Sequence, residues 1–468
     1  MSKIQLLFRS AVLVLVAAAS SGLMMSCSTE ADEPKPDKSI VELAQGTPDL
    51  SILVTALTKY PDLVTTLSGD GSFTVFAPTN AAFTSLLAAI GQTSLDDIPA
   101  DVLKNVLQYH VVTAGAFKAA QLSNGTISAA NSESIQISIS GGVKINNSVN
   151  VAIADIFGTN GVVHVVDAVM VPPSIVPIVG TIVAPAFFNK NFSTLVAAVK
   201  AADPAVLTIL LGAGPSKKKM TLFAPTNDAF AAAGITSLPT DKALLTDVLK
   251  YHVIDDEVLA AELPTGSATI PTLGGNFYLS NNGAKGVYIN ATTKVTKTDI
   301  TASNGVVHVI DRTLLPPSKT LAQIATDLAF SNAPQFTQLL AAVARTNGAS
   351  TDFLAAASNE SANLTVFAPT DAAFQNLYKA LGVTGINDIP LETLVAVLAH
   401  HVVAKRVFST DLTNGVVATL NGNITISATD GTVTDAKGNV AKLSSTAALL
   451  NVLGKNGVIH TIDKVLLP

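Results

Sequence analysis

The spacing of apolar residues along the chain alternates between a helical period and a strand period. One stripe of positions recurs at i, i+3, i+4 and i+7 and predicts a helix with one buried face. Its members are Leu103, Val106, Leu107 and His110. Polar and apolar residues alternate over residues 125–151, as they do in half-buried antiparallel strands. Together the two patterns predict an α+β fold with a β-sheet core and helices packed to one side.

Turn-forming residues mark where one predicted helix begins. Residues 72–77 have the composition of a strand, and a Pro-Thr-Asn sequence then turns the chain. Either Thr79 or Asn80 can cap the helix that we predict to open at Ala81, because a side-chain oxygen accepts a hydrogen bond from an unpaired backbone N–H there.

A second turn signal precedes the last predicted strand. Asn160-Gly161 is a typical hairpin turn pair, and residues 162–171 are predicted to form the strand that follows. His164 has the same strand parity as Val162 and Val166, which predicts that it lies on a packed face.

Three sequence blocks occur three times in the same order. The first is FAPTNAAF and its variants, the second is YHVV and its variants, and the third begins Asn-Gly-Val and ends in proline. They occupy residues 76–83, 223–230 and 367–374; residues 109–112, 251–254 and 400–403; and residues 160–173, 304–317 and 456–468. A period near 145 residues is too long for a solenoid, so each copy is predicted to be a domain with its own core. The predicted boundaries are 39–173, 178–317 and 320–468, with proline-containing joints that favour a stiff, elongated row.

These blocks closely resemble those of the fasciclin (FAS1) domain family over about residues 39–468. The resemblance implies a compact seven-stranded β wedge or sandwich decorated with helices, and a role in cell adhesion or extracellular-matrix contact instead of catalysis. The adhesive function of the family has been tied to a tyrosine–histidine motif and to Asp-Ile stretches. The matching candidate adhesion residues are Tyr109, His110, Asp155, Ile156, Tyr251, His252, Asp299 and Ile300. The alternative is that the Tyr and Ile side chains pack in the core.

The third repeat departs from both motifs. His400 replaces the tyrosine, and Asn451-Val452 stands near the Asp-Ile position. Whether the third domain binds is therefore left open by the sequence.

The N-terminus has the features of an export signal. Residues 1–27 contain a positive start, a short apolar run and an end that resembles a bacterial lipobox, in which Cys27 is acylated. Residues 28–38 are polar and acidic, which predicts a flexible tether. Its acidic residues also resemble the export tag of Bacteroidetes surface lipoproteins. We therefore predict a lipoprotein anchored in the outer membrane and facing the cell exterior; the alternative is an ordinary cleaved signal with an incidental cysteine.

Charge and chemistry narrow the choice of function. The net charge is −6 and no basic stripe is present, which argues against a nucleic-acid partner. All seven histidines lie in repeat blocks, and they are His110, His164, His252, His308, His400, His401 and His460. Each repeat also carries one aspartate in its third block (Asp167, Asp311 and Asp463), so a metal site or general base is one hypothesis. The favoured hypothesis is that the histidines are buried with hydrogen-bonded rings.

No recurrent nucleophile accompanies these histidines, and no phosphate-binding glycine loop of the GxxxxGK[ST] type is present. We accordingly predict a non-enzymatic adhesion protein with no cofactor and no metal, whose partner is an extracellular protein or glycan. Its only membrane contact would be through the lipid anchor, and its oligomeric state is left open. The alternatives are a surface glycan-binding lipoprotein of a polysaccharide uptake system and a periplasmic scaffold.

Overall fold

The computed structural model describes residues 35–213, 218–283, 286–347, 351–446 and 448–468. Each repeat folds as a layer of helices packed on a wedge of two β-sheets, which confirms the predicted α+β class. The predicted signal segment, including Cys27, lies outside the described residues.

The first domain contains five α-helices and seven strands. They are α1 (Ile40–Gln45), α2 (Ser51–Thr58), α3 (Pro61–Ser68), α4 (Asn80–Ala89), α5 (Ala100–Tyr109), β1 (Phe73–Pro78), β2 (Val111–Val112), β3 (Gly125–Ser128), β4 (Ser134–Ser138), β5 (Lys144–Ile145), β6 (Val149–Gly158) and β7 (Gly161–Val166). The second domain repeats this order. Its elements are α6 (Ala184–Phe187), α7 (Ser193–Ala201), α8 (Pro204–Thr208), α9 (Asn227–Ala232), α10 (Lys242–Tyr251), β8 (Met220–Pro225), β9 (Val253–Ile254), β10 (Gly266–Thr272), β11 (Gly275–Asn281), β12 (Val287–Ile289), β13 (Thr293–Ala302) and β14 (Gly305–Ile310).

The third domain has the same helices and a more divided set of strands. Its elements are α11 (Leu321–Ala329), α12 (Thr337–Ala344), α13 (Phe353–Ser358), α14 (Asp371–Leu381), α15 (Leu391–His400), β15 (Leu364–Pro369), β16 (Val402–Val403), β17 (Gly415–Ala418), β18 (Asn423–Ser427), β19 (Thr432–Thr434), β20 (Val440–Lys442), β21 (Val452–Gly454) and β22 (Gly457–Ile462). Short 3₁₀ turns lie between several of these elements, at Pro48–Leu50, Leu95–Asp97, Ala119–Gln121, Lys190–Phe192, Ala260–Glu262 and Ile386–Asp388.

The strand order in the first domain is β2-β1-β7-β6-β5-β4-β3, and the second domain has the equivalent order. The first and last strands of each repeat, such as β1 and β7, pair in parallel. In the first two domains one ten-residue strand, β6 or β13, runs from one sheet of the wedge into the other through a bulge.

The third domain separates into two four-stranded sheets at this place. Five positions separate Asn150 from Asp155 in the first domain, whereas nine separate the equivalent residues Lys442 and Asn451. The extra residues interrupt the long strand. The seven-stranded wedge implied by the family resemblance therefore holds for the first two repeats and is divided in the third.

The start of α4 shows which of the two predicted residues, Thr79 or Asn80, caps the helix. Thr79 is the cap, because its Oγ1 accepts a hydrogen bond from the N–H of Ala82 at 3.2 Å, and the helix begins one residue earlier than predicted. The side chain of Asn80 instead accepts a hydrogen bond from the Ile52 N–H at 2.9 Å, which ties α4 to α2. Thr226 and Thr370 cap the equivalent helices in the other two domains.

The closing strand β7 ends at Val166, five residues earlier than predicted. It is buried on both faces, since Val163 and Val165 pack against the helices while Val166 packs inside the wedge with Phe76. Strand parity therefore does not separate a packed face from an exposed one here.

None of the helices in the described part of the chain is both long and apolar enough to cross a membrane alone. The segments Lys190–Ala201 and Pro204–Gly212 reach the required length only as a pair bent by 119°.

Candidate functional site

The histidine of the Tyr-His motif lies at the C-terminus of α5 and joins the helix to the chain that leaves the sheet. Its Nδ1–H donates to the carbonyl oxygen of Val106 at 2.7 Å, and its Nε2 accepts from the N–H of Met170 at 2.8 Å. Burial lowers the pKa of His110 to about 4, so the ring is neutral at pH 7. Both ring nitrogens therefore make hydrogen bonds that stabilise the domain.

The same arrangement recurs in the other two domains. His252 bonds the Val248 carbonyl and the Leu314 N–H, at 2.7 and 2.9 Å. His401 bonds the Val397 carbonyl and the Leu466 N–H, both at 2.8 Å. Burial lowers the pKa of both histidines to about 4. These contacts confirm, for His110, His252 and His401, the hypothesis that the histidines are buried and hydrogen-bonded.

The tyrosines of the motif point into the wedge. Tyr109 is fully buried; its hydroxyl donates to the Ser134 carbonyl at 2.8 Å and accepts from Asn146 Nδ2 at 3.0 Å. Tyr251 is buried in the same way, and burial raises its pKa to about 12. A ligand could reach Tyr109, Tyr251 or the adjacent histidines only after the domain opened. Their assignment as adhesion residues stays a prediction.

His400 takes the place of the tyrosine in the third domain. Its Nδ1 bonds the carbonyl oxygen of Asn421. Its Nε2 is buried and has no hydrogen-bond partner among the described residues. The replacement thus keeps the helix tied to the neighbouring turn but loses the second bond that the tyrosine hydroxyl makes in the other domains.

The histidine of the closing strand holds the loop that follows β2. His164 Nε2–H donates to the Phe117 carbonyl at 2.9 Å, and Nδ1 accepts from the Asp155 N–H at 3.2 Å. His308 and His460 make the equivalent pairs of bonds in the second and third domains. Both nitrogens of these rings are therefore also occupied by backbone contacts within the domain.

The aspartate of the Asp-Ile stretch forms the bulge in the long strand. Asp155 has a φ of 61°, a left-handed conformation that Asp and Asn adopt more readily than other non-glycine residues. Its Oδ1 accepts from the Ala119 N–H at 2.7 Å, which fixes the loop that carries Lys118. Asp299 repeats this geometry with a φ of 58° and a bond of 2.8 Å to Ala260. Ile156 and Ile300 are half-buried against the helical layer.

Asn451 occupies the same position in the third domain. Its φ is 58°, and its Oδ1 accepts from the Ser409 N–H at 2.8 Å. The apparent departure of the third repeat from the Asp-Ile motif therefore preserves the geometry, because an amide oxygen replaces a carboxylate oxygen as the acceptor.

A buried asparagine was not singled out by the sequence analysis, which treated it as a turn residue. Asn160 Oδ1 accepts from the first N–H of α1, that of Ile40, at 3.0 Å. Its Nδ2 donates to the carbonyls of Leu67 and Gly69 at 2.8 and 2.9 Å. Asn304 and Asn456 make the corresponding contacts in their own domains. The signal available in the sequence was the identical asparagine in all three third blocks.

The repeated aspartate of the third block is also structural. Asp167 Oδ1 accepts from the Asn150 N–H at 2.8 Å, and Asp311 and Asp463 do the same for Lys294 and Lys442. Within the described ranges, no group of three or more His, Cys, Asp or Glu side chains is placed to hold a metal ion.

The surface beside the bulge in the third domain packs against the second domain. The Phe408 ring lies 5.8 Å from the Tyr278 ring, and the Arg406 guanidinium stacks 4.0 Å from the centre of the same ring. Thr410 Oγ1 also bonds Ser280 Oγ at 3.0 Å. Phe408 is almost fully buried in this joint.

The equivalent surface of the first domain is exposed to solvent. We call this surface the bulge face: it consists of Lys118, Ile153 and Phe157 in domain 1, Leu259, Lys297 and Thr301 in domain 2, and Phe408 and Leu453 in domain 3. Ile153 and Phe157 are 57% and 40% exposed, and Lys118 Nζ lies 5.1 Å above the Phe157 ring. The bulge face is thus mainly apolar and open in domain 1, mainly polar in domain 2, and buried against a neighbour in domain 3.

The fold and these repeated contacts define a modular protein built from three copies of one α+β domain. The model of the Fasciclin domain matches residues 48–172, 190–316 and 334–468. The chain therefore belongs to the Fasciclin domain family.

Several relatives share this domain. The chain is 31% identical to the pig transforming growth factor-beta-induced protein ig-h3 over 57% of its own length and 38% of the relative. It is 26% identical to human periostin over 86% of its length and 44% of periostin, and 44% identical to protein sll1483 of Synechocystis over 29% of its length and 74% of that protein. It thus spans less than half of the two animal proteins.

A solved structure of a FAS1 domain pair from the insect cell adhesion molecule fasciclin I aligns with 59% of this chain and 97% of its own. The sequence identity is 18% and the TM-score is 0.28.

Proposed function

We propose that this chain is a non-enzymatic adhesion protein whose Fasciclin domains contact extracellular matrix, other cells or surface polymers. The observation that carries the proposal is the exposed bulge face of domain 1. A similar face of domain 3 makes a close contact with a folded protein surface, that of domain 2. The fold is therefore suited to protein recognition at this place, and in domain 1 the place is open.

The chemistry of the face supports binding. An exposed aromatic ring beside a branched aliphatic side chain resembles the apolar core of a protein interface, where aromatic residues are enriched, and the Lys118 amine would suit its polar rim. Asp155 supports this surface from behind, because its carboxylate fixes the loop that carries Lys118. Of the residues predicted for adhesion, Asp155 and Ile156 lie beside the exposed face, and the Tyr-His pairs lie within the domain.

The repeated polar side chains support a binding role over a catalytic one. The histidines of the closing strand and those that end the long helices use both ring nitrogens for backbone contacts. The repeated asparagines and aspartates are occupied in the same way. The polar side chains that recur in all three domains thus stabilise the fold, whereas the exposed faces of the domains differ.

Replacing Ile153 and Phe157 together by serine is expected to weaken binding at least tenfold, because two apolar groups at the centre of the contact would be lost. The measurement is binding of the full chain to immobilised extracellular-matrix proteins and to surface polysaccharides, compared with the double variant. Val416→Ser is the matched control, since Val416 is 68% exposed on a strand of domain 3, away from the bulge face.

Equal binding by the wild type and the double variant would contradict the assignment to this face. Binding confined to polysaccharides would favour the glycan-capture alternative. A chain that bound none of the matrix proteins or polysaccharides would contradict the adhesion proposal itself.

The predicted anchor completes the proposal. Acylation of Cys27 and the acidic tether would hold the three domains at the outer membrane, facing the exterior. Protease treatment of intact cells is then expected to remove an epitope placed after Pro468, while a periplasmic control protein survives. Survival of the epitope until the outer membrane is broken would contradict surface exposure and favour the periplasmic scaffold.

A further inference from the structure

An apolar cavity of about 110 Å³ lies in the third domain between the helical layer and the sheet. Helices α11, α12 and α13 form its walls, and strand β15 forms its floor. Five alanines, among them Ala322 and Ala357, lie in the lining together with larger leucine and phenylalanine side chains.

Comparison of the repeats shows that the third domain has smaller side chains at three positions of the lining. Asn160 and Asn456 make equivalent contacts, which align Ile40 with Leu321 and Leu67 with Ala357. Domain 1 consequently has Val41 where domain 3 has Ala322, leucine where it has Ala357, and Phe73 where it has Leu364. The same fold in the same chain thus places larger side chains at three positions that line the cavity in domain 3.

The second domain has a smaller cavity than the third. Its cavity at the equivalent place measures about 70 Å³ and is lined in part by Val183, Phe187 and Leu210. Val183 and Leu210 correspond to Ala322 and Ala357, so domain 2 also has the larger residue at both positions. The larger of the two cavities therefore lies in the domain that has alanine at both positions.

The lining determines the chemistry of an occupant. Its side chains are almost all aliphatic or aromatic. The His401 ring also faces it, but both ring nitrogens are bonded to backbone groups. A polar or charged molecule would lose its hydration without gaining hydrogen bonds, whereas an apolar molecule would not. An apolar cavity of about 150 Å³ in another protein binds benzene and xenon.

We infer that the third domain binds a small uncharged apolar molecule, the size of one aromatic ring or a short alkyl chain, in this cavity. An unfilled apolar cavity lowers the stability of a domain, and the two other domains of the chain show that the fold accepts larger side chains there. The site is separate from the bulge face, which lies on the sheet.

The test uses benzene and xenon as probes with the full chain. Benzene is expected to raise the thermal midpoint of the third domain, and xenon is expected to occupy the cavity in pressurised crystals. The double variant Ala322→Val, Ala357→Leu introduces the residues found at these positions in domains 1 and 2. It is expected to reduce benzene affinity at least tenfold and to raise the midpoint without ligand.

The control is Ala380→Leu, which makes the same change as Ala357→Leu at an exposed position of α14. It should leave benzene affinity within twofold of the wild type. The inference is overturned if the wild-type chain binds neither probe, if xenon lies elsewhere, or if the filled variant binds benzene as tightly as the wild type. A filled variant that fails to fold would be recognised by its lowered midpoint, and the xenon position in the wild-type crystal would then decide.

Discussion

Replacing Asn456 by alanine is expected to lower the free energy of unfolding of the third domain by about 4 kcal/mol. The change leaves the Leu321 N–H and the Ala357 carbonyl without a partner, and the Asn359 carbonyl keeps only its bond from the Ala362 N–H. A buried polar group left unpaired costs about 1–3 kcal/mol. The measurement is urea unfolding of the full chain, with hydrogen exchange read from peptides of the third domain.

An aspartate at the same position tests the cause. Asn456→Asp keeps the size and the acceptor oxygen but replaces the amide donor, so a carboxylate oxygen would face two carbonyl oxygens. It is expected to destabilise the domain about as much as alanine does. Asn423→Ala, at an exposed position, should change the free energy by less than about 0.5 kcal/mol. A small effect of both Asn456 substitutions would show that this asparagine is only a turn residue.

The third domain is expected to lose stability steeply as the pH falls from about 6.5 to about 4. Burial lowers the pKa of His401 and of His460 from 6.5 to about 4. The folded state therefore favours the neutral rings. Stability is present in full above the unfolded pKa and is lost as pH falls toward the folded one, because only the unfolded chain takes up protons in that interval.

Each shift corresponds to roughly 3 kcal/mol, so the two together approach the total stability of an ordinary domain. The measurement is the free energy of unfolding of the third domain in urea between pH 7.5 and 4. His460→Asn should remove about one of the two protons taken up on unfolding, seen as a shallower slope at a lower stability at pH 7. A free energy that stays level from pH 7 to pH 4.5 would contradict the prediction.

Local patterns were sufficient to predict much of the fold. The stripe of Leu103, Val106 and Leu107 predicted α5, and alternation over residues 125–151 predicted the antiparallel strands, because both depend on the spacing of side chains on a regular backbone. Thr79 was one of the two residues predicted to cap α4, because capping depends on residues that are neighbours in sequence. The parallel pairing of β1 with β7 was not predicted, since the two strands are far apart in sequence and no local period reports it.

The site was predicted less completely than the fold. The motifs of the family indicated both Tyr109 and Asp155 as candidate residues. They did not predict that the tyrosine points into the wedge or that the aspartate supports an exposed loop. The role of Asn160 was not predicted either, because its side-chain hydrogen bonds join residues about 90 to 120 positions apart in sequence. The position of Asn451 in the third repeat became clear only from its φ and its bond to Ser409.

The amino-acid sequence by itself determined that this protein has three tandem copies of one α+β domain and belongs to the fasciclin type, since repetition and periodicity are properties of the chain. Tertiary structure decided which repeated polar residues hold the fold, which face of domain 1 is open, and where domain 3 keeps a cavity. Those properties depend on burial and on pairs of distant residues, and only the folded chain brings such residues together.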